Sequence, residues 1–124
     1  TIHGYGDLVV DMRSFARIRT ACGVPAIFDG THSVQRPGRA DGSSGGDPQH
    51  IPSLVRAAVA AGCDSLFLET HPLPSGAPSD STNMLPLDDL RPLLEDVLAI
   101  RRAVAEAGAA ARSRADEGHA GRPT

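Results

Sequence analysis

Three short apolar segments, at residues 8–10, 26–28 and 66–68, constrain the fold of this chain more than any other feature. None of them contains a polar residue. Uniform apolar runs of this length are typical of strands that are buried on both faces of a parallel sheet. Helical spacing occupies the segments between them, so the sequence predicts alternating strands and helices with parallel crossover connections.

Each apolar run is followed by a segment with helical spacing. Residues 13–22 form the first, and residues 53–61 form the second, between Pro52, which suits a first helical turn, and Gly62, which suits a helix end. Their apolar stripes are Phe15, Ile18 and Cys22 in the first, and Leu54, Val55, Ala58 and Val59 in the second. The third helix is the strongest, with apolar residues at intervals of three and four: Leu90, Leu93, Leu94, Val97 and Leu98.

The predicted order of elements is β-α-β-α-β-α. A closed (β/α)8 barrel takes ~250 residues, so this chain of 124 residues is too short to form one alone. Three strands alone would leave two long apolar edges unpaired. We therefore interpret residues 1–111 as an α/β unit made of about three β/α units of a larger barrel. Residues 112–124 lack apolar periodicity, so we expect them to form a disordered tail. A compact three-stranded α/β domain is the alternative.

Composition argues against several functions. The chain carries 15 Asp and Glu against 12 Lys and Arg, with three Phe, one Tyr and no Trp, unlike the basic, aromatic surfaces that bind nucleic acids. No apolar run approaches the roughly 20 residues of a membrane helix, and no charged-then-apolar leader opens the sequence. Two cysteines are too few for a disulfide scaffold, although one bridge remains open. We expect a cytoplasmic protein with no nucleic-acid or membrane partner.

An acidic residue follows every apolar run: Asp11, Asp29 and Glu69. The carboxyl ends of barrel strands form the active-site face, so these carboxylates are expected to lie close together. Such a cluster is costly unless a cation, a proton or a hydrogen-bond donor compensates the charge. For Asp11, an ion pair with Arg13 or a helix-capping role is the alternative.

His32 follows the second strand, and Asp80 lies in the loop eleven residues after Glu69. An imidazole with two carboxylates is a common ligand set for Fe²⁺, Mn²⁺ or Zn²⁺, although a purely structural histidine is the alternative. The small residues 42–46 precede the second helix, where their backbone N–H groups can bind a phosphate. A flexible lid without ligand contact is equally compatible with that composition.

Four stretches together resemble the 3-deoxy-D-manno-octulosonate 8-phosphate synthase family. They are the Phe-Asp-Gly-Thr-His-Ser-Val-Gln-Arg-Pro-Gly of residues 28–38, the Ser-Gly-Gly of 44–46, residues 56–64, and the Glu-Thr-His-Pro of 69–72. Residues 4–14 are similar to the family's sixth barrel strand, so the chain resembles the C-terminal part of the barrel. The sister family, 3-deoxy-D-arabino-heptulosonate 7-phosphate synthase, is one alternative. A non-catalytic half-barrel remnant that needs a partner chain is another.

The resemblance implies a condensation of phosphoenolpyruvate with D-arabinose 5-phosphate, on the route to the inner sugar of lipopolysaccharide. It also implies a homo-oligomer, a tetramer in the family. In metal-dependent members a divalent ion (Fe, Zn or Mn) is held by residues that match His32, Glu69 and Asp80, and by a Cys from the first half of the barrel, which has no counterpart in these 124 residues. Gln35 and Ser44 match the loop that closes over the sugar phosphate.

Two departures from the family accompany the match. Pro48 stands where the family usually has an Arg, which removes a cation beside the loop. The family's phosphoenolpyruvate-binding Lys and Arg and its sugar-phosphate segment belong to the first half of the barrel and have no counterpart in these 124 residues. We therefore expect the chain alone to be inactive, to bind metal weakly and to associate.

Overall fold

A computed structural model of the protein describes residues 8–36, 45–76 and 83–120. The helices are α1 (Ser14–Cys22), α2 (Ile51–Ala60) and α3 (Leu87–Ala120). The strands are β1 (Ile27–Asp29), β2 (Gln35–Arg36), β3 (Gly45–Gly46), β4 (Ser65–Phe67), β5 (Thr70–His71) and β6 (Leu85–Pro86). Single turns of 3-10 helix cover His32–Val34, Pro48–His50 and Pro74–Gly76.

The parallel crossover predicted between the second and third apolar runs is present. β1 and β4 pair in parallel with Phe28 opposite Leu66, and α2 lies between them in the chain. β2 and β3 form a small antiparallel pair, and β5 and β6 a small parallel one. The strands therefore form separate two-stranded pairs, and those of the described residues do not close into a barrel.

The described residues cover one face of the β1–β4 pair. Phe28 is 5% exposed on the covered face, where its ring meets that of Phe15 edge-on at 6.0 Å between centroids. Side chains two residues apart in a strand share a face. The other face, called the inner face below, carries Ile27, Asp29, Ser65 and Phe67, and its two large apolar side chains are 65% and 46% exposed. The prediction of strands buried on both faces is wrong for this face.

The core lies between the covered face and the helices. The buried apolar residues that contact one another come from all three helices and from β1, β6 and the connecting loops: Phe15, Ala26, Phe28, Val34, Ile51, Val55, Ala58, Leu85 and Leu93. The predicted apolar stripes include three residues that do not belong to this core, since Ile18, Leu94 and Leu98 are more than 40% exposed. Such a small core, with an uncovered sheet face, does not match a self-contained three-stranded domain.

Residues 8–10 do not form the predicted first strand. Leu8 and Val9 are about half exposed. A strand requires a neighbour that satisfies its backbone N–H and C=O groups, and no strand of the described ranges pairs with this segment.

The structure also differs from the sequence prediction at the far end of α3. The helix continues to Ala120, through most of the segment 112–124 that was expected to be disordered. The side chains of residues 109–117 are exposed, so these nine residues do not pack against the core. Ala, Arg and Glu are strong helix formers, and an existing helix gains one hydrogen bond for each added residue, so the extension needs no packing partner.

Asp64 connects the start of β4 to that of β1. Its carboxylate accepts hydrogen bonds from the backbone N–H of Ala26 at 2.8 Å and from Arg19 at 2.9 Å. These two bonds, in that order of importance, hold the pKa of Asp64 below its ordinary value of 3.8. Because the folded-state pKa is depressed, the stabilisation is present above the unfolded-state pKa and is lost as the pH falls through the folded-state pKa.

We expect the melting temperature of the chain to fall more steeply for the wild type than for Asp64→Asn as the pH is lowered below the ordinary carboxyl pKa, because the substituted amide does not titrate. Thermal unfolding followed by circular dichroism at several pH values measures this difference. Equal slopes for the two proteins would show that Asp64 contributes no pH-dependent stability.

No helix of residues 8–36, 45–76 and 83–120 has both the length and the apolar composition needed to cross a bilayer. Both cysteines lie in this part of the chain, and both are free thiols. The single disulfide that the sequence left open is therefore not formed.

Candidate functional site

Asp29, the last residue of β1, organises the turn that follows the strand. Its Oδ1 accepts hydrogen bonds from the backbone N–H groups of Thr31 at 3.1 Å and His32 at 2.9 Å. Its Oδ2 lies 2.8 Å from Nδ1 of the His32 ring. One carboxylate thus fixes both the backbone of the turn and one edge of the imidazole.

Thr31 connects this turn to the end of β4. Its side chain is fully buried, and its hydroxyl oxygen accepts a hydrogen bond from the backbone N–H of Glu69 at 2.8 Å. The backbone N–H of Gly30 donates to the carbonyl of Phe67 at 3.0 Å, so the parallel pairing continues beyond the strands. These two bonds hold the segments that carry His32 and Glu69 in a fixed relation.

His32 and Glu69 meet at this end of the sheet, as the sequence predicted. The imidazole Nε2 lies 3.7 Å from Oε1 of Glu69, beyond hydrogen-bond length. The ring also stacks on Phe67, with 6.0 Å between centroids and 26° between planes. The His32 and Glu69 side chains are about one third exposed, so both are open to a ligand.

The separation of these two atoms fits a shared metal ion. Zn–N and Zn–O bonds are about 2.0–2.2 Å long, so two ligand atoms on one ion lie within roughly 4.2 Å of each other. Imidazole nitrogen and carboxylate oxygen also form a suitable donor set for a divalent ion of intermediate softness. No three metal-binding side chains converge within the described ranges, and the predicted third ligand, Asp80, lies outside them.

Asp11, the remaining strand-end acid, binds arginine instead. Its carboxylate oxygens accept hydrogen bonds from Arg13 at 2.8–3.1 Å, and these bonds lower the pKa of Asp11 to about 2. The backbone carbonyl of Asp11 accepts from the N–H of Ser14 at the start of α1. The alternative given for Asp11, an ion pair at a helix start, is the one the structure contains.

The predicted sugar-phosphate loop is described only at its base. Gln35 lies half-buried in β2, opposite Gly46 of β3, and Ser44 lies outside the described residues. Gln35 lines a cavity of about 320 Å³. Beside it, Arg36 forms an ion pair with Asp47 at 2.6 Å.

Pro48, which replaces the family's usual Arg, is accommodated at the first position of the 3-10 helix that leads into α2. Proline suits this position because its missing N–H would have no partner inside the helix. Proline at this position is therefore compatible with the start of α2.

Neither cysteine lies where a fourth ligand would be needed. Cys63 precedes β4, whereas Glu69 follows the same strand, so the two are at opposite ends. Burial raises the pKa of the Cys63 thiol, which disfavours the metal-binding thiolate. Cys22 is exposed at the end of α1.

The ring of His71, which belongs to the same Glu-Thr-His-Pro stretch as Glu69, folds back onto the backbone of Leu73.

Two buried polar residues were not predicted from the sequence. Thr31 lies within the stretch that resembles the family, but its sequence position does not reveal its contact with Glu69. Asn83 is fully buried, and its side-chain amide has no hydrogen-bond partner among the described residues. It lies against Gly46, where an added Cβ would overlap the amide oxygen. A polar residue just before a predicted helix gives no sequence signal of such burial.

Comparison with known proteins identifies the family to which the chain belongs. The DAHP synthetase I family matches residues 1–105. The 2-dehydro-3-deoxyphosphooctonate aldolase of Nitratidesulfovibrio vulgaris (strain DP4) is 53% identical over 100 residues, covering 81% of this chain and 36% of that protein. The protein of the same name from Stenotrophomonas maltophilia (strain K279a) is 54% identical over 97 residues, covering 78% of this chain and 35% of that protein.

A solved structure is also similar. The crystal structure of phospho-2-dehydro-3-deoxyheptonate aldolase (DAHP synthase) from Thermotoga maritima superposes with a TM-score of 0.64 at 26% identity. The superposition covers 77% of this chain and 25% of that one.

The fold and the strand-end residues define part of an α/β barrel, which confirms the predicted fold class. The chain belongs to the DAHP synthetase I family. Its relatives at about 50% identity carry the name of the octulosonate synthase that the sequence resembled, so that resemblance is confirmed. The chain spans about a third of the length of these curated relatives.

Proposed function

We propose that this chain is the carboxyl-terminal third of a 3-deoxy-D-manno-octulosonate 8-phosphate synthase. In the proposed reaction, phosphoenolpyruvate, D-arabinose 5-phosphate and water give the eight-carbon phosphorylated sugar acid and inorganic phosphate. The observation that carries the proposal is the identity of 53–54% to two proteins named 2-dehydro-3-deoxyphosphooctonate aldolase. The reaction would supply lipopolysaccharide synthesis in the cytoplasm, and the complete protein would act as a homo-oligomer.

The chemistry requires one new carbon–carbon bond. The enol carbon of phosphoenolpyruvate attacks the sugar aldehyde, water adds at the neighbouring carbon, and phosphate leaves. Positive charge develops on the carbon that water attacks, so preorganised negative charge lowers the barrier. The backbone of Glu69 is bound to the buried Thr31 and its carboxylate is partly exposed, so this side chain is held at the strand end where a ligand can reach it.

His32, Glu69 and Asp80 are proposed to hold a divalent metal ion, Fe, Zn or Mn. When bound, such an ion orients the sugar hydroxyls and aldehyde and lowers the pKa of a bound water. The 3.7 Å between Nε2 of His32 and Oε1 of Glu69 supports this assignment. Gln35 and Ser44 are proposed to face the sugar phosphate, Gln35 from the base of the loop.

A completed barrel tests the proposal. It is made by joining this chain to the part of the Nitratidesulfovibrio vulgaris relative that lies outside the matched region, since identity of 53% favours correct packing at the junction. We expect phosphate release from phosphoenolpyruvate with D-arabinose 5-phosphate by the completed barrel and none by the 124-residue chain alone.

The same assay separates the alternatives. Preference for D-erythrose 4-phosphate would favour the heptulosonate synthase, the activity named for the Thermotoga maritima structure. A folded but inert barrel would favour a non-catalytic remnant. Turnover by the bare chain would contradict the expectation that the remaining two-thirds of the barrel are required.

A further inference from the structure

Asp29 makes three contacts that together control the orientation of His32. Two are backbone hydrogen bonds to Oδ1, and the third joins Oδ2 to Nδ1 of the ring at 2.8 Å. The ring of Phe67 lies against the face of the imidazole. The imidazole is therefore held at one edge and on one face.

The contact with Asp29 also fixes the position of the ring proton. A carboxylate is only an acceptor, so the proton shared across the 2.8 Å contact resides on Nδ1. In the neutral imidazole, Nε2 is then the nitrogen that carries the lone pair. Nε2 is also the atom that lies 3.7 Å from Glu69.

Asp29 is poorly placed to be a ligand of the same ion. Both of its oxygens are engaged, one by two backbone N–H groups and one by the ring. It also lies at the Nδ1 edge of His32, whereas Glu69 lies at the Nε2 edge. The carboxylate thus acts through the histidine.

We infer that Asp29 is a positioning residue, which holds the proton on Nδ1 of His32 and so presents a deprotonated Nε2 toward Glu69 and the metal ion. The presence of the metal ion rests on the proposed function, whereas the contacts among Asp29, His32 and Glu69 are all within this chain. Outer carboxylates of this kind set the tautomer of a ligating histidine and typically change metal affinity 10–100-fold.

Asp29→Asn separates positioning from a structural role. Asparagine keeps one oxygen for the two backbone N–H groups, so a residue that only caps the turn tolerates the change. The amide nitrogen that replaces Oδ2 is a donor, so Nδ1 becomes the acceptor and the proton moves to Nε2. The matched control is Asp64→Asn, since Asp64 also accepts a backbone N–H but lies at the opposite end of β4.

The test is ring ¹⁵N NMR of the metal-free 124-residue chain, with the His32 signals assigned by their loss in His32→Gln. We expect the Nδ1–H tautomer in the wild type and in Asp64→Asn, and the Nε2–H tautomer in Asp29→Asn. Circular dichroism checks that each variant is folded. An Nε2–H tautomer in the wild type, or an unchanged tautomer in Asp29→Asn, overturns the inference.

Titration with Zn²⁺ is the second readout. We expect Asp29→Asn to weaken Zn²⁺ binding about 10–100-fold and Asp64→Asn to leave it unchanged. A wild-type chain that binds no Zn²⁺ counts against the proposed metal site, while the tautomer still decides the role of Asp29. Equal Zn²⁺ affinity in the wild type and Asp29→Asn counts against the positioning role.

Discussion

Changing Glu69 to Gln in the completed barrel is expected to lower bound metal and the rate of phosphate release together, each by more than about 100-fold. Loss of an outer partner alone costs 10–100-fold in metal affinity, so loss of a charged ligand costs more. Glutamine keeps the size of the side chain and removes the charge that faces Nε2 of His32 across 3.7 Å. Metal content by elemental analysis and phosphate release measure the two effects.

The matched control is Glu95→Gln, which removes the same charge from an exposed pair with Arg91 on α3. Exposed pairs of this kind contribute little, so metal content and rate should remain at the level of the unchanged barrel. If Glu69→Gln retains full metal occupancy and full rate, Glu69 does not belong to the site. A fall in rate with full occupancy would leave Glu69 in the site but not as a ligand.

Changing Gly46 to Ala is expected to lower the free energy of unfolding of the chain. The added methyl group would overlap the side-chain amide of Asn83, which is fully buried. Overpacking of a buried site costs about 1–3 kcal/mol, and here the neighbour has no exposed space into which it can move. Chemical denaturation of the 124-residue chain measures the free energy of unfolding.

The double variant Gly46→Ala/Asn83→Ala is expected to recover most of this loss. It removes the overlap together with a buried amide that has no hydrogen-bond partner among the described residues. Gly108→Ala is the matched control, because Gly108 lies in the exposed part of α3 with only an arginine tip nearby. That change should stabilise the chain by roughly 0.5–1 kcal/mol. Equal effects of Gly46→Ala and Gly108→Ala would show that Asn83 does not fill the space at Gly46.

The sequence predicted the elements whose signals are local. α1 and α2 lie within two residues of the predicted segments at their starts, and the two later apolar runs form β1 and β4. The meeting of His32 with Glu69 also followed from local pattern, because parallel neighbours bring their carboxyl ends to one edge. The exposed part of α3 was not predicted, because a helix without a packing partner needs no apolar stripe and therefore shows no hydrophobic periodicity.

The predictions that failed concern features that depend on contacts between distant segments of the chain. Residues 8–10 are as apolar as the other runs, but a strand depends on a neighbour that pattern alone does not supply. The burial of Asn83 depends on its approach to Gly46, which lies 37 residues earlier in the chain. The role of Asp29 had a local signal, an acid at a strand end three residues before a histidine, but an acid at that position equally predicts one of several converging carboxylates.

The uncovered inner face has an electrostatic consequence for the site. Asp29 lies on this face beside the exposed Ile27 and Phe67, so its charge is screened by bulk solvent. Two unit charges 4 Å apart interact by about 1 kcal/mol in water and by about 4 kcal/mol at the effective dielectric constant of a protein surface. Placing the rest of a barrel over the inner face would therefore lower the local dielectric constant and strengthen the interaction between charged groups around His32.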